Sequence, residues 1–191
     1  MILGITGGTG CGKTTLLRCI ADCGGMIMDC DAIYHDLLKT DTAMLAAIEA
    51  RFPGTVEEGG RNLKKLGALV YKDHEALEDL NRITHACVRR EVEKTLSQKP
   101  KLAAIDAIAL FESGLDSICD VTVAVTAPEE DRVRRLMARD AISEDYARSR
   151  IAAQHPESWF RERCTYTLEN SGTEVQFREK CLAFLRNLCI I

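Results

Sequence analysis

A glycine-rich segment near the start of the chain constrains the fold more than any other stretch. Residues 7–14 read GGTGCGKT, after the apolar run Ile2–Thr6 and before a helical pattern over Lys13–Asp22. Ordering a glycine costs more backbone entropy than ordering any other residue, so this cluster needs a structural reason. The segment fits G-x-x-x-x-G-K-[ST], in which glycines let successive backbone N–H groups converge on one anion. We therefore predict a strand, a phosphate-binding loop and a helix, in that order.

The same segment predicts a site for a nucleoside triphosphate with Mg²⁺. The N terminus of the following helix carries unpaired N–H groups and a partial positive charge, and both attract phosphate. In such a loop Lys13 can reach the β- and γ-phosphates, and the Thr14 hydroxyl can ligate Mg²⁺.

Phosphate loops occur in GTPases, in motor or transporter ATPases and in small-molecule kinases. The guanine-reading pattern N-K-x-D does not occur, and the one D-x-x-G string, Asp22–Gly25, falls too close to the loop to be a switch. A transporter signature of the L-S-G-G-Q type is also missing from the sequence. A short chain with a helical insert and an arginine-rich late segment favours a kinase that closes over its substrate.

Apolar runs and helical patterns alternate along the 191 residues, which predicts an α/β fold with a parallel sheet. Between the second and third strands, residues 31–98 are mostly helical in pattern, with a loop at 53–62, so we expect an inserted subdomain. We expect Pro128 to start a later helix and Ser143 to cap the next one. The predicted strands are Ile2–Thr6, Met26–Asp29, Lys101–Leu110, Asp120–Thr126 and Cys164–Leu168.

Three acidic residues are candidates for the chemistry. Asp29 and Asp31 follow the second strand, and the carboxyl ends of parallel strands face the ligand crevice. An acid there can accept a proton from an attacking hydroxyl or hold Mg²⁺ through water, while helix capping by Asp31 is the alternative. Asp106 lies in an apolar strand, where a carboxylate needs a partner such as the Mg²⁺ water shell or the Thr14 hydroxyl.

An arginine-rich segment lies between the fourth and fifth predicted strands. Arg135 and Arg139 are four residues apart and share a helix face, so they could clamp the oxygens of a transferring phosphoryl group. The alternative is a solvated face of ion pairs with nearby acids. The six arginines are Arg132, Arg134, Arg135, Arg139, Arg148 and Arg150.

Composition and net charge limit the kinds of binding partner and the cellular compartment that we expect for this protein. A net charge of −4 gives no support to nucleic-acid binding, and no apolar run reaches the roughly 18 residues of a membrane span. Nine cysteines, an odd number without a C-x-x-C pair, predict reduced core residues in a cytoplasmic protein. Cys11 stands at a helix N terminus, where the pKa of a thiol can fall.

These features together resemble the dephospho-coenzyme A kinase family. The order of D-x-D, L-F-E and R-x-x-x-R-D is more specific than the phosphate loop. The resemblance covers almost the whole chain and rests on GITGGTGCGKTT (Gly4–Thr15), MDCDAIYHDLL (Met28–Leu38), LNRITHACVRREV (Leu80–Val92), IDAIALFESGL (Ile105–Leu115), RLMARDAISEDYARSRIAAQ (Arg135–Gln154) and NSGT (Asn170–Thr173).

The resemblance implies transfer of phosphate from ATP to the ribose 3′-hydroxyl of dephospho-CoA, the last step of coenzyme A synthesis. It implies a three-layer P-loop kinase fold with a five-stranded parallel sheet. Residues 1–30, 100–130 and 160–191 would form the nucleotide-binding core, 31–99 the helical CoA-binding insert and 131–159 a small helical lid. ATP and dephospho-CoA would be the small-molecule partners of a monomer or weak oligomer without an obligate protein partner.

The resemblance also implies roles for individual residues. Asp31 is the first candidate for the acid that faces the ribose hydroxyl, with Asp29 beside it. Arg135 and Arg139 belong to the lid, Asn170 and Gly172 lie near the adenine of ATP, and His85 and Arg89 match positions on the CoA-facing helices. The residues implied to bind the ATP phosphates are Gly10, Cys11, Gly12, Lys13, Thr14 and Thr15.

The chain departs from the family pattern in segments that the resemblance assigns to the binding of dephospho-CoA. Ala86 stands where the family usually has proline, and Ile108 falls in a segment whose usual proline is missing. Two other functions therefore stay open: a kinase for another small hydroxyl or nucleoside monophosphate, and a nucleotide-binding regulator without transfer activity.

Overall fold

The computed structural model describes residues 1–57, 60–61, 63–71 and 73–190. The strands are β1 (Ile2–Thr6), β2 (Met26–Asp29), β3 (Val56–Glu57), β4 (Gly60–Arg61), β5 (Ala103–Asp106), β6 (Val121–Thr126) and β7 (Tyr166–Glu169). The helices are α1 (Lys13–Asp22), α2 (Cys30–Thr40), α3 (Thr42–Arg51), α4 (Leu63–Val70), α5 (His74–Leu96), α6 (Glu129–Asp140), α7 (Glu144–Ala152), α8 (Glu157–Arg163) and α9 (Glu174–Asn187).

The chain divides into two compact units. Met1–Met28 and Lys99–Ile191 make the first, which we call the sheet unit, and Asp29–Gln98 makes the second, which we call the helical unit. None of the helices in the described part of the chain is both long and apolar enough to cross a bilayer.

Five strands form one parallel sheet in the order β2-β5-β1-β6-β7, which confirms the predicted fold class. β1 is the central strand, and Ile5 lies opposite Asp106 on one side and opposite Val123 on the other. The chain leaves β1 for a strand beyond β5 and later returns to β6 on the opposite side of β1. Such a switch in strand order opens a crevice at the carboxyl ends of the strands, and the glycine-rich loop follows β1 at that point.

The core of the sheet unit explains why the strands read as uninterrupted apolar runs. Strands of a parallel sheet are covered on both faces, so alternation with polar residues is not required. α1 and α9 pack on each other and share one buried cluster with the sheet. Its members include Leu3, Ile5, Leu16, Ile20, Val123, Val125, Phe177 and Leu185.

The helical unit is organised around α5, which α2, α3 and α4 each contact. Asp73 begins α5 as its N-cap, because its carboxylate accepts hydrogen bonds from the backbone N–H groups of Glu75 and Ala76. Asp41 caps α3 in the same way and also accepts a hydrogen bond from Arg90 of α5. Ala86 continues α5 without a break where a proline would interrupt the hydrogen-bond ladder.

Several predicted bounds were wrong. The third strand covers Ala103–Asp106 rather than Lys101–Leu110, and the fifth begins at Tyr166 rather than Cys164. Part of the predicted loop 53–62 forms the short antiparallel pair of β3 and β4, although residues 58, 59 and 62 lie outside the described residues. The sequence pattern also missed α8 and a 3₁₀ turn at Leu115–Ile118.

Candidate active site

The glycines of the loop are required by backbone conformation and by space. Gly12 lies at φ +95°, and a Cβ added there would come within 2.2 Å of the Asn170 amide nitrogen. Gly7 lies at φ +133°, and its Cβ would come within 2.1 Å of the Val125 carbonyl oxygen. Side chains are disfavoured at positive φ and do not fit at these distances, so only glycine suits both positions.

Arg135 and Asn170 hold the carbonyl groups of the loop from one side. Arg135 donates to the carbonyl oxygens of Gly10 at 3.2 Å and Cys11 at 3.4 Å. The Asn170 amide donates to the same Cys11 oxygen at 2.9 Å. In a trans peptide the C=O and the following N–H point in opposite directions, and the described chain contains no cis bond. The N–H of Gly12 is therefore directed to the other side of the loop, where an anion would be bound.

The start of α1 completes the phosphate-binding geometry. Gly12 is the N-cap and offers no side-chain hydrogen bond, so the first N–H groups of the helix retain their attraction for an anion. Lys13 is partly buried, and its ammonium group donates to the Gly7 carbonyl oxygen at 2.9 Å. Thr14 is exposed, while the Thr15 N–H donates to the Gly12 carbonyl at 3.1 Å.

The oxygen donors expected to bind Mg²⁺ fit that ion. Asp106 ends β5 beside the central strand, and its Oδ1 atom is buried. Thr14 lies in the first turn of α1, directly after the loop. Among the described residues no group of three or more His, Cys, Asp or Glu side chains could hold a metal. Mg²⁺ suits this sparse set, because it usually takes one or two protein oxygens together with phosphates and water.

The six arginines separate into two groups. Arg132 and Arg135 contact the loop, whereas the other four pair with carboxylates on or near α6 and α7. Arg134 pairs with Asp131, Arg148 with Glu129, Glu130 and Glu144, and Arg139 and Arg150 both with Asp140. The hydrogen bonds from Arg139 and Arg150 lower the pKa of Asp140 to about 2.

Asn170 and Gly172 lie in the turn between β7 and α9. Asn170 is buried, and its backbone N–H donates to Thr126 of β6 at 2.7 Å, which fixes the turn to the sheet. Gly172 takes φ +148° immediately before Thr173, which caps α9 in a reciprocal capping box with Gln176. The turn is therefore held at both ends.

The position of Cys11 at a helix N terminus does not lower the pKa of its thiol. Its side chain is only 3 % exposed, and desolvation raises the pKa of the thiol despite the nearby charges of Arg132 and Lys13. Burial in apolar surroundings leaves a thiol inert. Cys11 thus contributes its backbone to the loop.

In the helical unit, Asp29 takes the capping role that the sequence left open for Asp31. The Asp29 carboxylate accepts hydrogen bonds from the N–H groups of Asp31 at 2.9 Å and Ala32 at 3.0 Å, so it is the N-cap of α2. Asp31 lies in the first turn of that helix and is exposed.

His85 and Arg89 lie one turn apart on α5 and are both partly exposed. Arg89 pairs with Glu93 on the same helix at 2.8 Å. The i, i+4 spacing places the two side chains on one helix face.

Sequence reasoning missed the contacts of Arg132 and Gln154 with the loop. Arg132 donates to the Thr9 carbonyl at 2.9 Å, and the Thr9 N–H donates to the Gln154 side-chain oxygen at 2.8 Å. The charge pattern could not separate Arg132 from its neighbours, and Gln154 was marked only as the last residue of a segment that resembles the family, with no role attached.

Comparisons with known proteins show which family the chain belongs to. A family model described as dephospho-CoA kinase matches residues 1–176. The dephospho-CoA kinase of Syntrophotalea carbinolica is 32% identical over 194 residues, covering 98% of this chain and 92% of that protein. The dephospho-CoA kinase of Corynebacterium diphtheriae is 33% identical over 178 residues, covering 90% and 89%.

Solved structures share the fold. A Thermus thermophilus protein has a TM-score of 0.83 and 35% identity, covering 98% of this chain and 97% of that one. A dephospho-CoA kinase from Campylobacter jejuni has a TM-score of 0.69 at 22% identity, covering 98% and 96%. The family match over nearly the whole length, together with the phosphate-loop geometry, shows that this chain belongs to the dephospho-CoA kinase family.

Proposed function

We propose that the protein phosphorylates the ribose 3′-hydroxyl of dephospho-CoA with ATP, giving coenzyme A and ADP in the last step of coenzyme A biosynthesis. The observation that carries the proposal is the match to the dephospho-CoA kinase family over residues 1–176, which includes the complete phosphate loop. The reaction forms a bond between the 3′-oxygen and the γ-phosphorus and breaks the bond from that phosphorus to the β–γ bridging oxygen.

The loop residues supply most of the binding energy for the triphosphate. Residues Gly10 to Thr15 surround the phosphates, and Lys13 exchanges its contact with the Gly7 carbonyl for the β- and γ-phosphates. Thr14 and Asp106 would hold Mg²⁺, which when bound offsets charge on the phosphates. Because little covalent work falls to the protein, catalysis rests on positioning and electrostatics.

The remaining roles are proposed from the family pattern and from side-chain chemistry. Asp31 orients the 3′-hydroxyl and takes up its proton, and Asp29 supports Asp31 by capping α2. Arg135 and Arg139 stabilise charge on the transferring phosphoryl group from the proposed lid at 131–159. Arg135 would first exchange its contacts with the loop carbonyls for phosphate oxygens. The exposed pair of Arg139 with Asp140 is weak enough to exchange for a phosphate contact.

Binding of the phosphate acceptor, dephospho-CoA, is assigned to the helical unit. His85 and Arg89 of α5 offer a hydrogen-bond donor and a cation on one helix face, a combination suited to the phosphate groups of dephospho-CoA. Asn170 and Gly172 would lie near the adenine of ATP. We also propose a cytoplasmic monomer or weak oligomer that needs no protein partner.

Product identification tests this proposal. Wild-type protein is incubated with ATP, Mg²⁺ and dephospho-CoA, and the product is examined by mass spectrometry and ³¹P NMR. We expect a product that is heavier than dephospho-CoA by one phosphoryl group and has the mass of coenzyme A. Its ³¹P spectrum should contain the signal of a 3′-phosphomonoester. Lys13→Ala should nearly abolish the signal, whereas Arg18→Ala, an exposed change on the same helix, should leave it intact. ATP binding without this product would favour a regulator.

A further inference from the structure

Both backbone groups of Thr9 are held by side chains that lie far along the sequence. The Thr9 N–H donates to the Gln154 side-chain oxygen at 2.8 Å, and the Thr9 carbonyl accepts from Arg132 Nε at 2.9 Å. Arg132 Nη2 also donates to the same Gln154 oxygen at 3.4 Å. The three residues therefore form a closed set of hydrogen bonds around the two peptide groups that flank the Thr9 Cα atom.

The loop approaches these two side chains so closely that glycine is needed beside Thr9. A Cβ on Gly8 would lie 2.3 Å from Arg132 Nη2 and 3.2 Å from the Gln154 oxygen. A Cβ on Gly10 would lie 2.9 Å from the Arg132 backbone oxygen. The loop is thus fitted against the first turn of α6 and against the segment after α7.

Arg132 is an unusual cation in this setting. It is only 7 % exposed, and among the described residues it forms no ion pair with a carboxylate. Its hydrogen-bond acceptors, a backbone carbonyl and an amide oxygen, are both neutral groups. Burying such a charge is costly, so a nearby anion would stabilise it. A triphosphate on the neighbouring loop is an anion of this kind.

We infer that Gln154 is a positioning residue that, together with Arg132, holds the two peptide groups on either side of Thr9 so that the phosphate loop is preorganised for ATP. Fixing Thr9 determines the direction of the peptides on either side, and hence where the N–H groups of Gly10 and the following residues point. Because both interactions use the oxygen of Gln154 as an acceptor, an apolar side chain cannot replace the amide.

The inference rests on the proposed ATP-dependent function, so the test measures ATP binding and turnover separately. The dissociation constant of Mg·ATP is measured by calorimetry without acceptor, and KM values for ATP and dephospho-CoA are measured in a coupled ADP assay. Gln154→Leu should weaken ATP binding about tenfold and raise the KM for ATP to match, with the KM for dephospho-CoA within about twofold.

The control variant changes an arginine on α6, the helix that also carries Arg132. Arg134→Ala, which removes an exposed arginine of α6, should change none of these values. If Gln154→Leu does not fold, Gln154→Asn replaces it and is judged by the same criteria. The asparagine side chain is one methylene shorter than that of glutamine. The inference is overturned if the apolar variant binds ATP like wild type, or if the KM values for both substrates rise alike. Failure of wild type to phosphorylate dephospho-CoA would instead refute the proposed function, while the calorimetry would still test Gln154.

Discussion

Replacing Gly12 with alanine should disrupt the loop through two separable effects. The first is conformational, since Gly12 lies at φ +95° and a left-handed conformation costs an L-residue about 1–2 kcal/mol. The second is steric, since the new Cβ would lie 2.2 Å from the Asn170 amide nitrogen and force this buried side chain away. Asn170 would then lose its hydrogen bond to Cys11, and leaving buried polar groups unpaired costs about 1–3 kcal/mol.

Gly24 provides a matched control for the conformational effect. It also has a positive φ, +78°, but a Cβ added there meets nothing within 4 Å. Gly24→Ala therefore measures backbone strain alone. Gly12→Ala should be less stable than Gly24→Ala by about 1–3 kcal/mol, the contribution of the displaced Asn170.

Thermal unfolding and ATP calorimetry check this prediction. For a chain of this size the excess destabilisation corresponds to a melting temperature lower by about 2–12 °C. Gly12→Ala should also bind Mg·ATP at least about tenfold more weakly, whereas Gly24→Ala should bind it normally. Equal melting temperatures and equal ATP affinities for the two variants would refute the argument that Gly12 is required by its contact with Asn170.

Three further predictions concern single groups. Asp31→Asn should lower kcat by about 10²- to 10⁴-fold in the coupled ADP assay if Asp31 acts as the base, while Asp36→Asn on the same helix should have little effect. Folding lowers the pKa of Asp140, so its ion pairs stabilise the wild-type protein above pH 3.8 and lose this effect as the pH falls toward 2. Asp140→Asn should therefore be less stable than wild type above pH 3.8, with a difference that shrinks toward pH 2. Denaturant unfolding of the wild type and the variant across this range measures the difference. Cys11 should react with iodoacetamide at least about tenfold more slowly than the exposed Cys189, as peptide mapping would show.

Each of these predictions has a contradicting result. A near-normal kcat for Asp31→Asn would show that Asp31 is not the base and would leave it a positioning role. A stability difference for Asp140→Asn that stays constant down to pH 2 would mean that its ion pairs do not contribute. Comparable alkylation rates at Cys11 and Cys189 would show that the loop opens in solution.

The beginning of the fold could be predicted from the sequence because local signals agree there. β1, α1 and β2 have the bounds expected from the apolar runs and the glycine motif. The third strand was predicted too long because residues 107–110 remain apolar after the chain has left the sheet. Ala107 and Leu110 are buried outside any strand, so their composition reports burial rather than strand conformation.

Elements without a periodic pattern and contacts between distant residues could not be predicted. α8 has Phe160 as its buried residue, which is too little apolar periodicity to indicate a helix. Arg132 and Arg148 look alike in sequence, yet one holds the loop and the other pairs with three glutamates. The difference depends on tertiary contacts that span more than a hundred residues.

The most direct test of the central claim is an acceptor comparison with the wild-type protein. ADP release is followed at fixed Mg·ATP with dephospho-CoA, AMP, CMP or shikimate as the acceptor, and kcat/KM is measured for each. The account predicts that dephospho-CoA is the strongly preferred acceptor and that ADP forms in equal amount to coenzyme A. Comparable or greater kcat/KM for another acceptor, or ADP release that does not depend on dephospho-CoA, would contradict it.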